Sequence, residues 1–415
     1  MSFGEAFGFV LGGALIVWSV WYYFQPTANP ETGVPNAGVT FFRWAVQGLI
    51  FFFVISYLFR EFGRLIGTDG TRKLFRQMPL TAAFGILTII AYAFLAIFAG
   101  QISVQVVVGV GLFGIVLIIL VRRSSGDQTA TSFAGVMIAI FAVFVGMYFY
   151  GPIAPYGQAE ILGSANVVAG GDPALNGDPA YPLGTDQIGR DILSRLIYGA
   201  QNTVGIAFVT TVLAFVIGAT LGFLAATLQG WLDQLLSRAV DVLMAIPSLI
   251  FALLLMTIAS VWANELGIPL TIFMVVIIAV IDSTRVYRLA RAVGLNIVVM
   301  DYIEAAKLRG EGLGYLVFKE ILPNATAPLL AEFGLRFCFV FLTIAALSFL
   351  GVGIQPPLAD WGTMVRDLAP FINFAAFAPS AATAPLLAAG AIALLTVAVN
   401  FVVDWMLHRS SGLKD

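Results

Sequence analysis

The chain reads DYIEAAKLRGEGLGYLVFKEILPN over residues 301–324, a polar interruption between two long apolar runs. Asp301 and Glu304 have the spacing of a capping box, with Asp301 as the N-cap and Glu304 at the third helical position. Gly310 permits the left-handed turn that ends a helix, and the residues after it can form a second short helix. Pro323 suits the first turn of the next helix, where its missing N–H costs nothing. The sequence therefore predicts a rigid helix–turn–helix between two apolar helices.

The composition of the whole chain is that of a membrane protein. Of its 415 residues, 60% are hydrophobic and 11% are charged, whereas soluble domains average about 25% charged. A helix needs about 20 mainly apolar residues to cross the hydrocarbon core. We therefore predict an all-α, polytopic membrane bundle of about ten transmembrane helices, at approximately 5–24, 40–59, 80–99, 102–121, 132–150, 201–228, 239–262, 269–289, 324–350 and 383–407.

The basic residues predict how this bundle is oriented. If the N-terminus is inside, sixteen of the 21 Lys and Arg residues lie on the inner side, counting Arg285 and Arg288 at a helix end. Loops rich in Lys and Arg stay in the cytoplasm. Both termini are therefore expected inside, with inner segments at 60–79, 122–131, 229–238, 290–323 and 408–415.

Several classes of function are excluded by residue counts. One cysteine, Cys338, and one histidine, His408, are too few for a zinc or haem site, so no metal site is expected. The chain has no Gly-Lys dipeptide and hence no phosphate-binding loop, so it is not expected to hydrolyse ATP. A net charge of -2 gives no basic surface for nucleic acid.

A second informative stretch, PLGTDQIGRDILSR, covers residues 182–195. Asp186 and Arg190, and likewise Asp191 and Arg195, are acid–base pairs four residues apart, in the orientation that stabilises a helix. The apolar residues between them share one helical face. The pattern predicts an amphipathic helix at the external membrane surface, and its candidate surface residues are Gly184, Thr185, Asp186, Gly189, Arg190 and Asp191.

Two shorter segments add weaker signals. The stretch SFLGVGIQPPLADWG, residues 348–362, reads as a helix end terminated by glycine and followed by an external loop stiffened by two prolines. Asp241 precedes Pro247 inside the predicted span 239–262, where the proline is expected to kink the helix.

These segments together resemble the ABC importer permeases of the dipeptide, oligopeptide and nickel C type, over approximately residues 132–407. The spacing from Glu-Ala-Ala to Gly and then to Ile-Leu-Pro is similar to the coupling-loop signature of that family, and the 182–195 stretch to its Leu-Gly-Thr-Asp-x-x-Gly-Arg-Asp run. The resemblance implies that the coupling loop docks on an ATP-hydrolysing subunit. The residues that it assigns to coupling are Asp301, Glu304, Ala305, Ala306, Gly310, Leu322 and Pro323.

The resemblance also implies partners and a cellular location. We expect a second homologous permease subunit forming a heterodimer with this chain, two ATP-binding subunits and an external solute-binding protein. ATP and Mg are expected in the ATP-binding subunits, with no cofactor and no catalytic residue in this chain. The expected location is the bacterial or archaeal cytoplasmic (inner) membrane, in contact with lipid. Transport would proceed by alternating access as the coupling loop moves the attached spans.

The chain departs from the family pattern in two respects. Residues 1–121 add four predicted helices, expected to act as a scaffold, before a permease core at 122–415 with an external loop at 151–200 and a coupling loop at 290–323. Glu332 and Arg336 place an acid and a base inside a span, where a charge costs about 2.5–3.5 kcal/mol on insertion scales. Two interpretations are open: the pair lines the solute path or a gate, or it fixes packing against the partner permease or the added helices.

The solute and the energy source also leave alternatives. Peptides or similar small solutes are the expected cargo, and nickel complexes or another small solute on the same scaffold are the alternative. A secondary transporter driven by an ion gradient would favour inverted repeats and unpaired acids within spans, and the sequence shows no repeat. A membrane-embedded enzyme would need clustered reactive groups that the sequence does not bring together.

Overall fold

The structure is a computed structural model that describes residues 37–65, 69–125, 127–169, 176–374 and 379–410, with a few positions between 17 and 25. Within these ranges the chain folds into helices and loops, without a β-sheet. The helices are α1 (Ala37–Leu65), α2 (Asp69–Gln77), α3 (Leu80–Phe98), α4 (Val104–Ser125), α5 (Asp127–Tyr150), α6 (Ile192–Leu228), α7 (Gly230–Ala245), α8 (Ser248–Leu266), α9 (Leu270–Val298), α10 (Asp301–Leu308), α11 (Leu313–Phe349), α12 (Trp361–Leu368) and α13 (Thr383–Ser410).

Most of these helices are long enough to cross a membrane. Among the described residues, seven have the necessary length and apolar composition, and α4 and α5 contain two shorter apolar runs. The nine predicted spans from 40–59 onward all overlap described helices, whereas the predicted span 5–24 lies largely outside the described residues. The prediction of an all-α, polytopic membrane protein is confirmed.

The predicted span 239–262 is wrong in its bounds. Pro247 does not kink one helix but separates two, since α7 ends at Ala245 and α8 begins at Ser248. Ile246 takes an extended conformation (φ -92°, ψ 131°), because the ring of a following proline disfavours the helical region. The apolar span is therefore α8, and α7 lies before it as a separate helix.

The centre of the bundle is a close contact between α6 and α9, the most extensive contact between two helices of the described chain. Gly218 and Gly222 lie one turn apart on α6, directly against the backbone of α9. A Cβ atom at Gly218 would lie 2.5 Å from the carbonyl oxygen of Ser283. Small residues at this spacing let two membrane helices approach closely, so this contact depends on the absence of side chains on α6.

The added N-terminal helices pack onto the rest of the chain through α3. The Tyr92 hydroxyl on α3 donates a hydrogen bond to the Ala391 carbonyl on α13 (3.0 Å), and its ring meets the Trp361 ring edge-on at 5.4 Å. Helices α4 and α5 pack chiefly on each other. Helix α3 is therefore anchored to the bundle; the scaffold role of residues 1–121 and the boundary between residues 121 and 122 stay predictions.

Candidate functional site

The segment 301–312, here called the elbow, is a short helix followed by a tight turn. Helix α10 ends at Leu308, and Gly310 adopts a left-handed conformation with φ +79°. Two backbone hydrogen bonds close the turn, from Gly310 N to the Lys307 carbonyl (2.9 Å) and from Glu311 N to the Ala306 carbonyl (3.2 Å). The predicted glycine turn is confirmed.

The predicted capping box is wrong by one residue. Met300 is the N-cap, without a side-chain cap, and Asp301 is already the first helical residue. The amide groups of Ile303 and Glu304 donate to the Met300 carbonyl instead. Because Asp301 and Glu304 both lie in the first turn, their charges still favour the positive end of the helix dipole.

The second half of the predicted helix–turn–helix is not a separate helix. A helix begins at Leu313 and continues through a π-helical turn, Leu316–Ile321, into the long apolar helix. Helix α11 is therefore continuous. Pro323 is the second α-helical residue after this turn. The elbow is consequently followed directly by the membrane span α11.

The elbow has one buried face and one exposed face. Ile303 and Ala306 are fully buried, in a cluster that includes Phe223 from α6, Ile297 from α9 and Ile321 from α11. The outward face carries exposed side chains, and Leu308 is 83% exposed. Of the residues assigned to coupling, Ala306 is buried and Leu322 is half-buried; Asp301, Glu304, Ala305, Gly310 and Pro323 are exposed. A force on the exposed face of the elbow would therefore be transmitted to α6, α9 and α11, because its buried face packs against all three.

Helix α7 lies beside the inner ends of these spans and is tied to α9 by ion pairs. Asp241 accepts a hydrogen bond from Arg288 at 2.5 Å, and Asp233 accepts one from Nη2 of Arg291 at 2.6 Å. The Arg291 hydrogen bond lowers the pKa of Asp233 below its usual range. Asp241, a weak signal in the sequence, is thus a link between α7 and α9.

The stretch 182–195 does not form the predicted amphipathic helix. Helix α6 begins at Ile192, and the residues before it form turns in which Gly184 and Gly189 have φ +79° and +83°. Thr185 is fully buried and donates to the Ser164 carbonyl (2.6 Å). The two glycines permit left-handed turns, which interrupt a helix. The hydrogen bond from Thr185 to Ser164 then helps to fix the conformation of these turns.

The charged residues of this stretch hold the turns together. Asp186 accepts hydrogen bonds from Nε and the amide of Arg190 (2.7 and 2.9 Å), and Arg195 lies 3.7 Å from the same carboxylate. Asp191 does not pair with Arg195; it caps α6, accepting from the Ser194 amide at 2.7 Å. Asp186 and Asp191 are 6% and 2% exposed. The predicted surface residues Gly184, Thr185, Asp186, Gly189 and Asp191 are buried, Arg190 is half-buried, and Gln187 and Ile188 are exposed in their place.

The 348–362 stretch forms the same end of the bundle. Gly351 takes φ +86° just after α11, as predicted for a glycine-terminated helix. Asp360 caps α12 through the Thr363 amide (2.8 Å) and accepts from the Thr203 hydroxyl (2.8 Å), while burial raises its pKa. Trp361 Nε1 donates to the Leu196 carbonyl (2.9 Å). The two motifs that the sequence predicts to be external therefore pack against each other.

A cavity of about 690 Å³ opens at this end, between α8, the start of α9 and the loop after α11. Its polar lining is uncharged and includes Thr257, Ser260, Asn264 and Gln355. Hydroxyl and amide groups of this kind offer hydrogen bonds to a polar solute without fixing its charge.

Glu332 and Arg336 belong to a larger charged cluster. Arg336 Nε lies 2.6 Å from Glu332, and its Nη1 lies 3.6 Å from Asp282 on α9. Arg285, one turn after Asp282, lies 3.7 Å from the same carboxylate. The expectation that the spans hold no clustered acids is wrong. The signal was present in Asp282, an isolated acid inside an apolar span, but its partner lies on another helix.

Comparison with known proteins gives a consistent result. Residues 218–411 match the family described as binding-protein-dependent transport system inner membrane component. The dipeptide transport system permease protein DppC of Escherichia coli K12 is 36% identical over 281 residues, covering 68% of this chain and 86% of that protein. The di/tripeptide transport system permease protein DppC of Pseudomonas aeruginosa is 35% identical over 233 residues (56% and 70%). The glutathione transport system permease protein GsiD of Pectobacterium atrosepticum is 34% identical over 237 residues (57% and 71%).

Proposed function

Because this chain belongs to the family of binding-protein-dependent transport system inner membrane components, we propose that it is a membrane subunit through which an ATP-driven importer carries peptides. It is an ABC importer permease, and proteins of this kind are transport subunits rather than enzymes. The relatives are named for dipeptide, di/tripeptide and glutathione transport. Short peptides are therefore the cargo that we assign to this chain.

The observation that carries the proposal is the elbow. Its outward face is exposed, and its inward face is buried against three helices that cross the membrane. It lies at the end of the bundle that the distribution of basic residues predicts to be cytoplasmic. We propose that an ATP-binding subunit binds Glu304, Ala305 and Leu308 there, and that its closure tilts α9 and α11 as rigid bodies, which switches access from one side to the other.

We propose the remaining parts of the importer from the family to which the chain belongs. A second homologous permease subunit completes the path, in a heterodimer, and two ATP-binding subunits supply ATP and Mg. A solute-binding protein docks at the opposite end, where Gln187 and Ile188 are exposed and the 690 Å³ cavity opens. Residues 1–121 act as a scaffold, and the assembly resides in a bacterial or archaeal inner membrane.

A pair of glycine substitutions tests the elbow. Gly310→Ala forces a side chain into a left-handed conformation, which costs about 1–2 kcal/mol, although a Cβ there meets no atom within 4 Å. We expect weaker binding of the ATP-binding subunits, by about 5- to 30-fold, and a matching loss of ATP-dependent dipeptide uptake. The measurement is titration of the purified permease pair with its ATP-binding subunits, followed by uptake in proteoliposomes.

Gly312→Ala is the matched control. Gly312 lies two residues away, has an ordinary φ of -77° and also has open space at its Cβ position. Uptake by this variant should equal that of the unmodified protein. Binding and uptake at the unmodified level in both variants would remove the elbow from the coupling mechanism, and uptake without any ATP-binding subunit would refute the proposed function itself.

A further inference from the structure

The charged cluster lies within the predicted membrane spans, nearer their inner than their outer ends. About 18 Å of helix separate Asp282 from Leu270 at the outer end of α9, and about 24 Å separate it from Val298 at the other end. Four charged side chains form a chain of alternating sign: Arg285, Asp282, Arg336 and Glu332. The Phe339 ring lies under the Arg336 guanidinium at 4.6 Å and near that of Arg285 at 5.8 Å.

The cluster opens on one face of the molecule. The side chains of Arg285 and Glu332 are 40% and 23% exposed, and Phe339 is 51% exposed. A charged side chain that met lipid at this depth would be costly, so charges within spans face protein or water. The face that α9 and α11 share at this level is therefore covered by protein or lines an aqueous path.

The hydrogen-bonding capacity of the cluster is incompletely used. Asp282 is 6% exposed, yet its Oδ2 has no hydrogen-bond partner among the described residues, and the same holds for Nε and Nη1 of the 9% exposed Arg336. The 3.7 Å contact of Arg285 with Asp282 is too long for a hydrogen bond. Buried polar groups are normally paired, so these atoms can accept or donate further hydrogen bonds to water, to a ligand or to another subunit.

We propose that Arg285 binds the carboxylate of a peptide in transit. This inference rests on the proposed function, since every unmodified peptide carries a terminal carboxylate. The planar guanidinium of Arg285 can bind a carboxylate through two parallel hydrogen bonds. The exposed Phe339 ring stabilises that guanidinium through a cation–π interaction. Asp282 is the counter-ion to which Arg285 returns when the peptide leaves, while the tight Glu332–Arg336 pair holds Asp282 in place.

The position of the cluster favours a transported ligand over a fixed contact with the second subunit. Asp282 and Arg285 lie on α9, whereas Glu332 and Arg336 lie on α11, and the elbow connects these two helices. A movement of the elbow therefore changes the distances within the cluster. A site whose geometry changes with the ATP-binding subunits can bind and release a carboxylate in each cycle.

The first test measures whether the importer loses its preference for peptides with a free C-terminal carboxylate. The whole importer, with its binding protein, would be reconstituted and offered an equimolar mixture of a dipeptide and its C-terminal amide. Arg285→Gln should lower the import ratio of acid to amide by about ten- to a hundredfold relative to the unmodified protein. Arg285→Lys, which keeps the charge, should retain part of the preference.

Arg288→Gln is the matched control, because it removes the same charge one turn further along α9, where Arg288 pairs with Asp241. The import ratio of acid to amide in Arg288→Gln should equal that of the unmodified protein. An unchanged ratio in Arg285→Gln, or an equal slowing of both peptides as a subunit contact would give, overturns the inference. Failure of the unmodified importer to carry either peptide would refute the proposed function, and the inference with it.

A labelling experiment tests water access independently of transport. The sole cysteine, Cys338, would be replaced by Ala, and a cysteine placed by Phe339→Cys or by Ile115→Cys on α4, at a position of similar exposure (56%). A charged, membrane-impermeant thiol reagent should label position 339 and not position 115. Peptide-loaded binding protein with ATP should reduce the labelling at 339. Absence of labelling at 339 would place this face against lipid or a subunit and overturn the inference.

Discussion

Replacing Arg336 with methionine is expected to destabilise the folded chain by about 3–5 kcal/mol. The guanidinium lies 2.6 Å from Glu332 and 3.6 Å from Asp282, and its removal leaves two carboxylates within the spans. Methionine keeps a long apolar side chain, so the loss of charge rather than of volume dominates the effect. Thermal unfolding of the purified protein in detergent, followed by tryptophan fluorescence, measures the change.

A triple variant separates the lost ion pairs from a general disturbance of the core. Adding Asp282→Asn and Glu332→Gln to Arg336→Met removes the unpaired charges, and neutral replacement of a whole buried ion cluster is often tolerated. We expect the triple variant to recover most of the stability that the single variant loses. A triple variant no more stable than Arg336→Met would show that the charges do not balance one another.

Gly222→Ala is the second substitution with a large expected effect, about 1–3 kcal/mol of lost stability. Its new Cβ would lie 2.7 Å from the Tyr287 carbonyl oxygen and 2.9 Å from the Arg291 amide nitrogen. Both are backbone atoms of α9, which no rotamer change can move, so α6 and α9 must separate. Thermal unfolding in detergent again provides the measurement.

The matched control, Gly205→Ala, lies on the same helix. A Cβ there meets no atom within 4 Å, and the backbone around it is helical. Alanine is favoured over glycine in a helix by about 1 kcal/mol, so this variant should be at least as stable as the unmodified protein. We expect Gly222→Ala to lower the stability and Gly205→Ala to maintain or raise it. A similar change in stability for both variants would mean that the close approach to α9 does not limit the side chain at residue 222.

Local signals made the elbow predictable. A left-handed turn at Gly310 and the helix before it depend on residues within a few positions of one another, and apolar length alone identifies most spans. Only the cap was misplaced, since Met300 supplies a backbone carbonyl where a side chain was expected. Sequence patterns are most reliable where the physical cause lies nearby along the chain.

Two further errors come from contacts between distant segments. Residues 182–191 have helical charge spacing, yet their glycines and the hydrogen bond from Thr185 to Ser164 impose turns. Asp282 and Arg336 meet only when α9 packs beside α11. No local pattern specifies such a pair, so the charged cluster emerges from the fold rather than from a motif.

The central claim is that the elbow binds an ATP-hydrolysing subunit and transmits its movement to the membrane spans. Site-specific photo-crosslinking tests this binding most directly. A photoreactive amino acid would replace Leu308 on the elbow or, as a control, Ile188 at the opposite end; both side chains are exposed. In native membranes, the probe at 308 should capture the ATP-hydrolysing subunit and the probe at 188 should not. Capture of an external solute-binding protein from 308, or of the ATP-hydrolysing subunit from 188, would contradict the account.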